Sequence, residues 1–165
     1  MQFELCELED SLCAQCLEIF NAIIADGVNY PHEVLMSRED FDAFYQPGEP
    51  VWCAVDAENK VLGFVHVHPN GFGRLAHIAN CGYAVAEDAR GKGVGKALVA
   101  KSIEVCREMG FKGIQFNAVV ATNVYAIRLY TSFGFEIIGT IPGGFRFGSA
   151  EEPKYVDRYI MYLEL

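Results

Sequence analysis

Polar and apolar residues alternate from Gln2 to Leu8, the period-2 pattern of a half-buried strand. The next stretch, DSLCAQCLEIFNAIIADG, reads as a helix with Asp10 or Ser11 as its cap and Gly27 as its stop. A second helical piece, SREDFDAFYQ, opens at Ser37 and closes at Pro47-Gly48. Three short apolar runs follow. VWCAVDA and KVLGFVHVHP flank a hairpin-like break at Glu58-Asn59, and RLAHIANCGYAV comes after a loop from Pro69 to Gly73. Between Gly93 and Met109 the apolar residues Val94, Leu98, Val105 and Met109 recur at helical spacing, and Gly110 ends that helix. GIQFNAVV then predicts a buried strand, and TNVYAIRLYTSF a short helix ending at Gly134. FEIIGTI and YVDRYIMYLEL predict the last strands, with a Gly/Pro-rich loop between them. Strands first, then strand–helix–strand–helix–strand, predict one mixed sheet with helices on both faces, an α/β fold.

The chain has 165 residues, so the expectation is a single domain, 1–165, with a core that needs no disulfides. Its hydrophobic share of 52% and charged share of 21% are those of a globular protein. A formal net charge of −9 argues against nucleic acid, because duplex binding rests on clustered cations. The acidic start, MQFELCELED, lacks the cationic flank of a signal peptide, and no run approaches the ~20 apolar residues of a membrane helix. These features predict a cytoplasmic protein with no membrane partner. Cys6, Cys13, Cys16, Cys53, Cys81 and Cys106 are scattered, mostly inside apolar segments, and read as reduced core residues. Cys13-x-x-Cys16 stands alone, and His32, His66, His68 and His77 supply no second ligand pair at metal-site spacing, so no metal is expected.

The segment ARGKGVGKAL, 89–98, combines glycines and cations at the start of a helix. It is not a Walker loop: position 90 is Arg, and Ala97 follows Lys96 where a hydroxyl would hold magnesium. It is not a Rossmann fingerprint either, because the third glycine falls on Lys96 in one register and on Leu98 in the other. What remains is Arg90-x-x-Gly93-x-Gly95. Unpaired amides at a helix N-terminus bind an anion directly, and glycine lets that backbone come close. Arg90, Lys92, Lys96 and Lys101 add positive charge, with no acid between Asp88 and Glu104. The pattern resembles motif A of the GCN5-related N-acetyltransferases (GNAT), which holds the pyrophosphate of acetyl-CoA. FNAVVATNVYAIRLYTSFGFEIIG resembles the later segment of the same family, so the likeness spans about Ala76 to Gly139. One departure is Glu87-Asp88, standing where the family often has a proline.

The resemblance implies a sheet of about seven strands, splayed between the fourth and fifth, and acetyl-CoA as cosubstrate. It implies that Tyr83, Ala84 and Val85 offer free backbone groups to the pantetheine arm and acetyl carbonyl, with the Val85 amide as oxyanion donor. Arg90, Gly91, Lys92, Gly93, Val94, Gly95 and Lys96 would hold the coenzyme's phosphates. Asn117, Asn123, Ala126 and Tyr130 would contact the rest of the coenzyme. Tyr130 is the candidate acid for the departing thiolate, although Asn123, Ala126 or Ile127, and Tyr130 at helical spacing would equally suit a core face. Asn117 interrupts an apolar run where an unpaired amide would cost ~1–3 kcal/mol, and Asn80 raises the same question; either stitches strands or meets substrate. Asn123 also suits an N-cap. No acid interrupts the central strands, so the general base is open; His77 lies on the strand leading to the site, while His66 and His68 share one face of the strand before it. The loop IPGGFRFGSAEEPKY would supply Phe145, Phe147 and Tyr155 as apolar walls and Arg146 for a carboxylate. FNxVxxTN and HIANxGY resemble the family branch that contains fungal acetyltransferases acting on proline analogues. The expected acceptor is therefore a small amino- or imino-acid-like amine. Acetylation of a protein or peptide, and a CoA-binding sensor without catalysis, are the alternatives; a homodimer is left open.

Overall fold

The computed structural model describes residues 2–45, 48–148 and 152–165. Strand β1 (Phe3–Glu7) leads into helix α1 (Asp10–Asp26) and the short helix α2 (Arg38–Phe44). Strands β2 (Val51–Asp56), β3 (Val61–Pro69) and β4 (Ile78–Val85) follow, then helix α3 (Val94–Glu108), strand β5 (Gly113–Val120), helix α4 (Val124–Ser132) and strands β6 (Glu136–Phe147) and β7 (Lys154–Glu164). All seven strands form one sheet in the order β1-β2-β3-β4-β5-β7-β6. Only the central pair, β4 and β5, is parallel, and the chain reaches it through the α3 crossover.

Each face of the sheet carries its own apolar layer. Phe20, Ile23 and Ile24 of α1 and Phe41 of α2 pack with Phe64 and Val51 on one face. Val94, Leu98, Val105 and Cys106 of α3 pack with Val65, Val67, Ile114 and Met161 on the other. Burying each such side chain contributes about 1.5–3 kcal/mol, so the helices are held by the sheet rather than by their own propensity. Cys16 and Cys53 lie 3.6 Å apart, sulfur to sulfur, in the first layer, and Cys81 and Cys106 lie 4.0 Å apart in the second; all six cysteines are free thiols.

Helix ends follow local chemistry. Neither Asp10 nor Ser11 is the cap of helix α1: Glu9 is its N-cap and Asp10 lies in the first turn, while Gly27 closes it at φ 68°. At α2, Ser37 and Asp40 form a reciprocal capping box, and Tyr45 is the C-cap; the predicted stop at Pro47 lies outside the described residues. The larger difference is at the end of the chain. FEIIGTI does not stop at a loop: β6 runs on to Phe147, and its pairing with β7 shifts register between Ile141 and Phe145. Pro142, Gly143 and Gly144 are absorbed as a bulge, with Gly143 at φ 59° and its N–H donating to Asp157 Oδ1 at 2.9 Å.

The sheet splits at its centre. Only Ile78–Gly113 and Ala79–Ile114 pair between β4 and β5; beyond them the strands diverge. On its other side β4 stays in unbroken register with β3 from Pro69–Ala79 to Gly63–Val85. Ile78 O accepts from Asn70 N and Ala86 N donates to Leu62 O, so the even-numbered backbone groups of β4 face β3. Those of Cys81, Tyr83 and Val85 therefore face the split.

Candidate active site

Two cavities meet at this split. The first is a groove of about 620 Å³ running from the turn before α3 along the open edge of β4 to α4. Its walls include Tyr83, Val85, Arg90, Gly91, Gly93 and Gly95, then Asn123, Ala126 and Tyr130. The second, about 410 Å³, lies toward α1 and α2 and is lined by Tyr30, His32, Tyr45, His66, His68, Asn80, Asn117 and Phe116, among others. Asn29, Tyr30, Tyr83, Asn123, Ala126 and Tyr130 line both.

At the α3 end of the groove the backbone turn stands open. Gly91 has φ 74° and Gly93, the N-cap of α3, has φ 86°, a backbone conformation that side chains resist. A Cβ added at either glycine would meet nothing within 4 Å, so the turn is not plugged by neighbouring side chains. The first α3 bond from outside the helix proper is Ala97 N to Gly93 O at 3.0 Å, so the amides of Gly93, Val94, Gly95 and Lys96 precede the hydrogen-bonded turns. Arg90, Lys92 and Lys96 are exposed around them, while the Val94 side chain is buried in the core. Lys101 does not join this group: its ammonium sits 3.9 Å over the Trp52 ring and 2.8 Å from Glu104. Asp88 is held 2.5 Å from Lys60, which keeps its carboxyl below the usual range, chiefly through that hydrogen bond.

Along the open edge of β4 the backbone is unevenly occupied. Asn80 Oδ1 accepts from Cys81 N at 2.8 Å, so this amide stitches its own strand. Tyr83 O accepts from the Tyr30 hydroxyl at 3.0 Å. The amides of Tyr83 and Val85 remain directed into the split. Ala84 does not contribute as expected: it is 1% exposed and its backbone groups face β3. Tyr83 lines both cavities whereas Val85 lines the groove and not the 410 Å³ cavity, so the Tyr83 amide stands where the two meet.

Helix α4 brings Asn123 and Tyr130 to the same junction. Asn123 is the N-cap, its Oδ1 accepting from Ala126 N at 3.1 Å, and its Nδ2 donates to Asn29 Oδ1 at 2.8 Å. Tyr130 is half-buried against Phe116 and Tyr83, with ring centroids 4.6 Å and 5.8 Å away. Burial, and to a lesser extent Cys81, pushes its phenol above the ordinary range. The hydroxyl makes no hydrogen bond among the described residues.

Asn117 occupies the β5–β7 register shift between Phe116 and Val119, which turns it outward. It is exposed rather than buried, accepting from Gln115 at 2.8 Å and donating to Asn70 at 2.6 Å; Arg158 donates to its carbonyl. It lines the 410 Å³ cavity with Asn80 and is not part of the groove wall, so it lies on the side away from the turn before α3.

Three expected residues lie elsewhere. His77 is exposed at the start of β4, at the paired end of the sheet, where its carbonyl accepts from Lys112 N. Eight residues of extended chain separate it from Val85, roughly 26 Å at ~3.3 Å per residue. Phe145 and Arg146 lie on β6 beside a third cavity, with Phe147, and Tyr30, Pro31 and His32 stand between it and the 410 Å³ cavity. Arg146 pairs with Glu33, joining β6 to the loop after α1. What the sequence reading did not rank is the histidine pair on β3. His66 is 4% exposed, its Nε2 lies 2.7 Å from Glu49 Oε2, and its ring stacks on His68 at 4.8 Å.

Residues 16–135 match the model of the Acetyltransferase (GNAT) family. The chain belongs to this family. N-acetyltransferase aca1 of Schizosaccharomyces pombe is 30% identical over 168 residues, covering 92% of this chain and 79% of that protein. The L-methionine sulfoximine/L-methionine sulfone acetyltransferase of Pseudomonas paraeruginosa is 34% identical over 131 residues, covering 76% and 70%. The structure of a GCN5-related N-acetyltransferase from Kribbella flavida superposes with TM-score 0.92 at 35% identity, covering 99% of this chain and 98% of that one. This GNAT chain is an N-acetyltransferase that uses acetyl-CoA. The open turn at Gly91–Gly93, with bare amides and three exposed cations, suits the diphosphate of that cosubstrate. Among the described residues no helix is long and apolar enough to cross a membrane.

Proposed function

We infer that this acetyltransferase acts on the amine of a small amino- or imino-acid-like molecule. The observation that carries the reading is the 410 Å³ cavity that opens onto the coenzyme groove at Tyr83 and Tyr130. Its volume is that of a site for a small molecule, whereas a peptide acceptor needs a longer channel. Its walls are aromatic rings with a few amides and imidazoles, a surface that desolvates an amine and orients it by hydrogen bonds. The name of the Pseudomonas relative, which gives an amino-acid analogue as its acceptor, points the same way.

In this reading the amides of Gly93, Val94, Gly95 and Lys96, with Arg90 and Lys92 at the rim, bind the diphosphate. The thioester then extends along the split edge of β4. The Tyr83 amide, rather than that of Val85, donates to the oxyanion that forms as nitrogen attacks, because it faces the cavity where the amine sits; Val85 holds the pantetheine arm. Tyr130 donates to the sulfur as charge grows on it. Its raised pKa keeps the hydroxyl protonated, so it serves as a hydrogen-bond donor whose bond strengthens as the thiolate leaves. Asn80 and Asn117 orient the acceptor's polar groups from opposite sides of the split.

The test is thiol release from acetyl-CoA with free L-amino acids, L-proline analogues, L-methionine sulfoximine, polyamines and short peptides. Amino- or imino-acid turnover exceeding that of peptides supports the reading. Faster turnover of peptides, or tight acetyl-CoA binding with no amine-dependent release, overturns it.

A further inference from the structure

The β3 histidines sit in the inferred acceptor cavity and have no part in binding the coenzyme. His66 pairs in register with Gly82, next to the Tyr83 amide; His68 pairs with Asn80, two residues farther from the junction. Glu49, just ahead of β2, fixes the His66 ring. A carboxylate only accepts, so the 2.7 Å contact to Glu49 requires the hydrogen on Nε2 and leaves Nδ1 of the neutral ring with a lone pair. Nδ1 makes no hydrogen bond among the described residues. Among their buried side-chain atoms only His32 Nδ1 is both sealed from solvent and unpartnered, so His66 Nδ1 is not sealed, and its ring lines the cavity. A carboxylate behind one imidazole nitrogen and a free lone pair on the other is the arrangement of an oriented general base.

We propose that His66, held by Glu49, accepts the proton of the substrate amine. The proposal rests on the reading of this cavity as the amine site. The amine nitrogen bonds to the thioester carbon with its lone pair as the carbonyl pair moves onto oxygen; its N–H proton passes to His66 Nδ1, and the N–H bonding pair stays on nitrogen. The imidazolium so formed is stabilised by Glu49. The C–S bond then breaks with its electron pair on sulfur, where the Tyr130 hydroxyl donates a hydrogen bond to the thiolate; the imidazolium gives its proton through solvent to that sulfur. The net change is amine plus thioester to amide plus thiol.

The surroundings suit transient occupancy. His66 meets His68 on its own strand, Tyr45 at 4.6 Å and Phe44 at 5.8 Å from α2 and its end, and Glu49 from the preceding loop, with Tyr30 and His32 across the cavity. Burial, then the neighbouring His68, pushes the imidazole down to about 4 against the pull of Glu49. The ring is thus neutral before substrate arrives and does not retain the proton it accepts. The amine must enter uncharged, so kcat/KM rises with pH up to the pKa of the substrate.

His66→Gln tests the role, because a glutamine amide can still donate to Glu49 but has no basic nitrogen. With the fastest amine of the panel above, kcat should fall about 10²- to 10³-fold while the KM for acetyl-CoA stays within twofold. Glu49→Gln should cost about tenfold, with the KM for acetyl-CoA again unchanged. Wild-type kcat in His66→Gln overturns the proposal and leaves the acceptor class intact. The ¹⁵N shifts of His66 in the wild-type protein give a reading that needs no turnover. The Nε2–H tautomer, uncharged from pH 6 to 8, supports the proposal, and the Nδ1–H tautomer overturns it. If no amine is turned over by the wild type, the small-amine reading fails, and the tautomer still decides whether His66 has the lone pair assigned to it.

Discussion

Gly93→Glu places a carboxylate in the turn before α3. The residue lines the coenzyme groove, and a Cβ built there meets nothing within 4 Å, so the new side chain fits without displacing the core. Two costs then separate. The φ of 86° in the left-handed region costs a non-glycine residue about 1–2 kcal/mol of folding stability. The carboxylate meets the diphosphate: one unit charge at ~4 Å and an effective dielectric of ~20 gives about 4 kcal/mol of repulsion. That is about three decades in Kd, since 1.4 kcal/mol is tenfold. Calorimetric titration with CoA measures it. The expected result is a Kd raised about 10³-fold in Gly93→Glu and less than about tenfold in Gly93→Ala, which has the strain without the charge. Raised salt should recover part of the loss only in the glutamate variant. A folded Gly93→Glu protein that binds CoA within threefold of wild type would refute the assignment of the diphosphate to this turn.

Tyr130→Phe keeps the rings that pack on Phe116 and Tyr83, so stability should change little, while kcat falls about 10- to 100-fold at unchanged KM for acetyl-CoA; single-turnover thiol release checks it. Asn123→Ala removes the α4 cap and the bond to Asn29, which should cost about 1–2 kcal/mol and lower Tm by about 2–8 °C, read by calorimetry. The His66 ring also predicts acid sensitivity. Its folded pKa of about 4 lies below the unfolded value near ~6.5, so the unfolded state binds more protons between these limits. Stability contributed by this group is present above ~6.5 and declines as pH falls toward 4; urea unfolding across that window should show a shallower slope in His66→Gln than in wild type.

Where one segment's own pattern set its environment, the sequence was enough. GIQFNAVV is β5 to the residue, α3 begins at the residue after Gly93, and Asn123 caps α4, because strand alternation, helix starts and caps are decided within a few residues. That the turn before α3 stands open was legible too, since Gly91 and Gly93 take the left-handed backbone that glycine spacing allows. Patterns broken by pairing were misread. Pro142-Gly143-Gly144 looked like a loop, yet β7 supplies partners on both sides, and a bulge costs less than ending the strand. Asn117 looked like an amide trapped in a core strand, but the register shift against β7 turns it to the surface.

By itself, then, the chain order of strands, helices and the Arg90-x-x-Gly93-x-Gly95 turn determined the family, the cosubstrate and the side of the sheet on which the diphosphate is to be sought. Only the tertiary structure decided which groups share the 410 Å³ cavity. Glu49 and His66 are 17 positions apart and meet through the β2–β3 hairpin, His77 is carried away by the direction of β4, and Arg146 is taken up by Glu33, 113 positions earlier. The physical reason is that helix and strand periods are local and survive in sequence, whereas the partner of a polar side chain depends on strand register. A slip of one residue would turn His66 from the cavity to the opposite face.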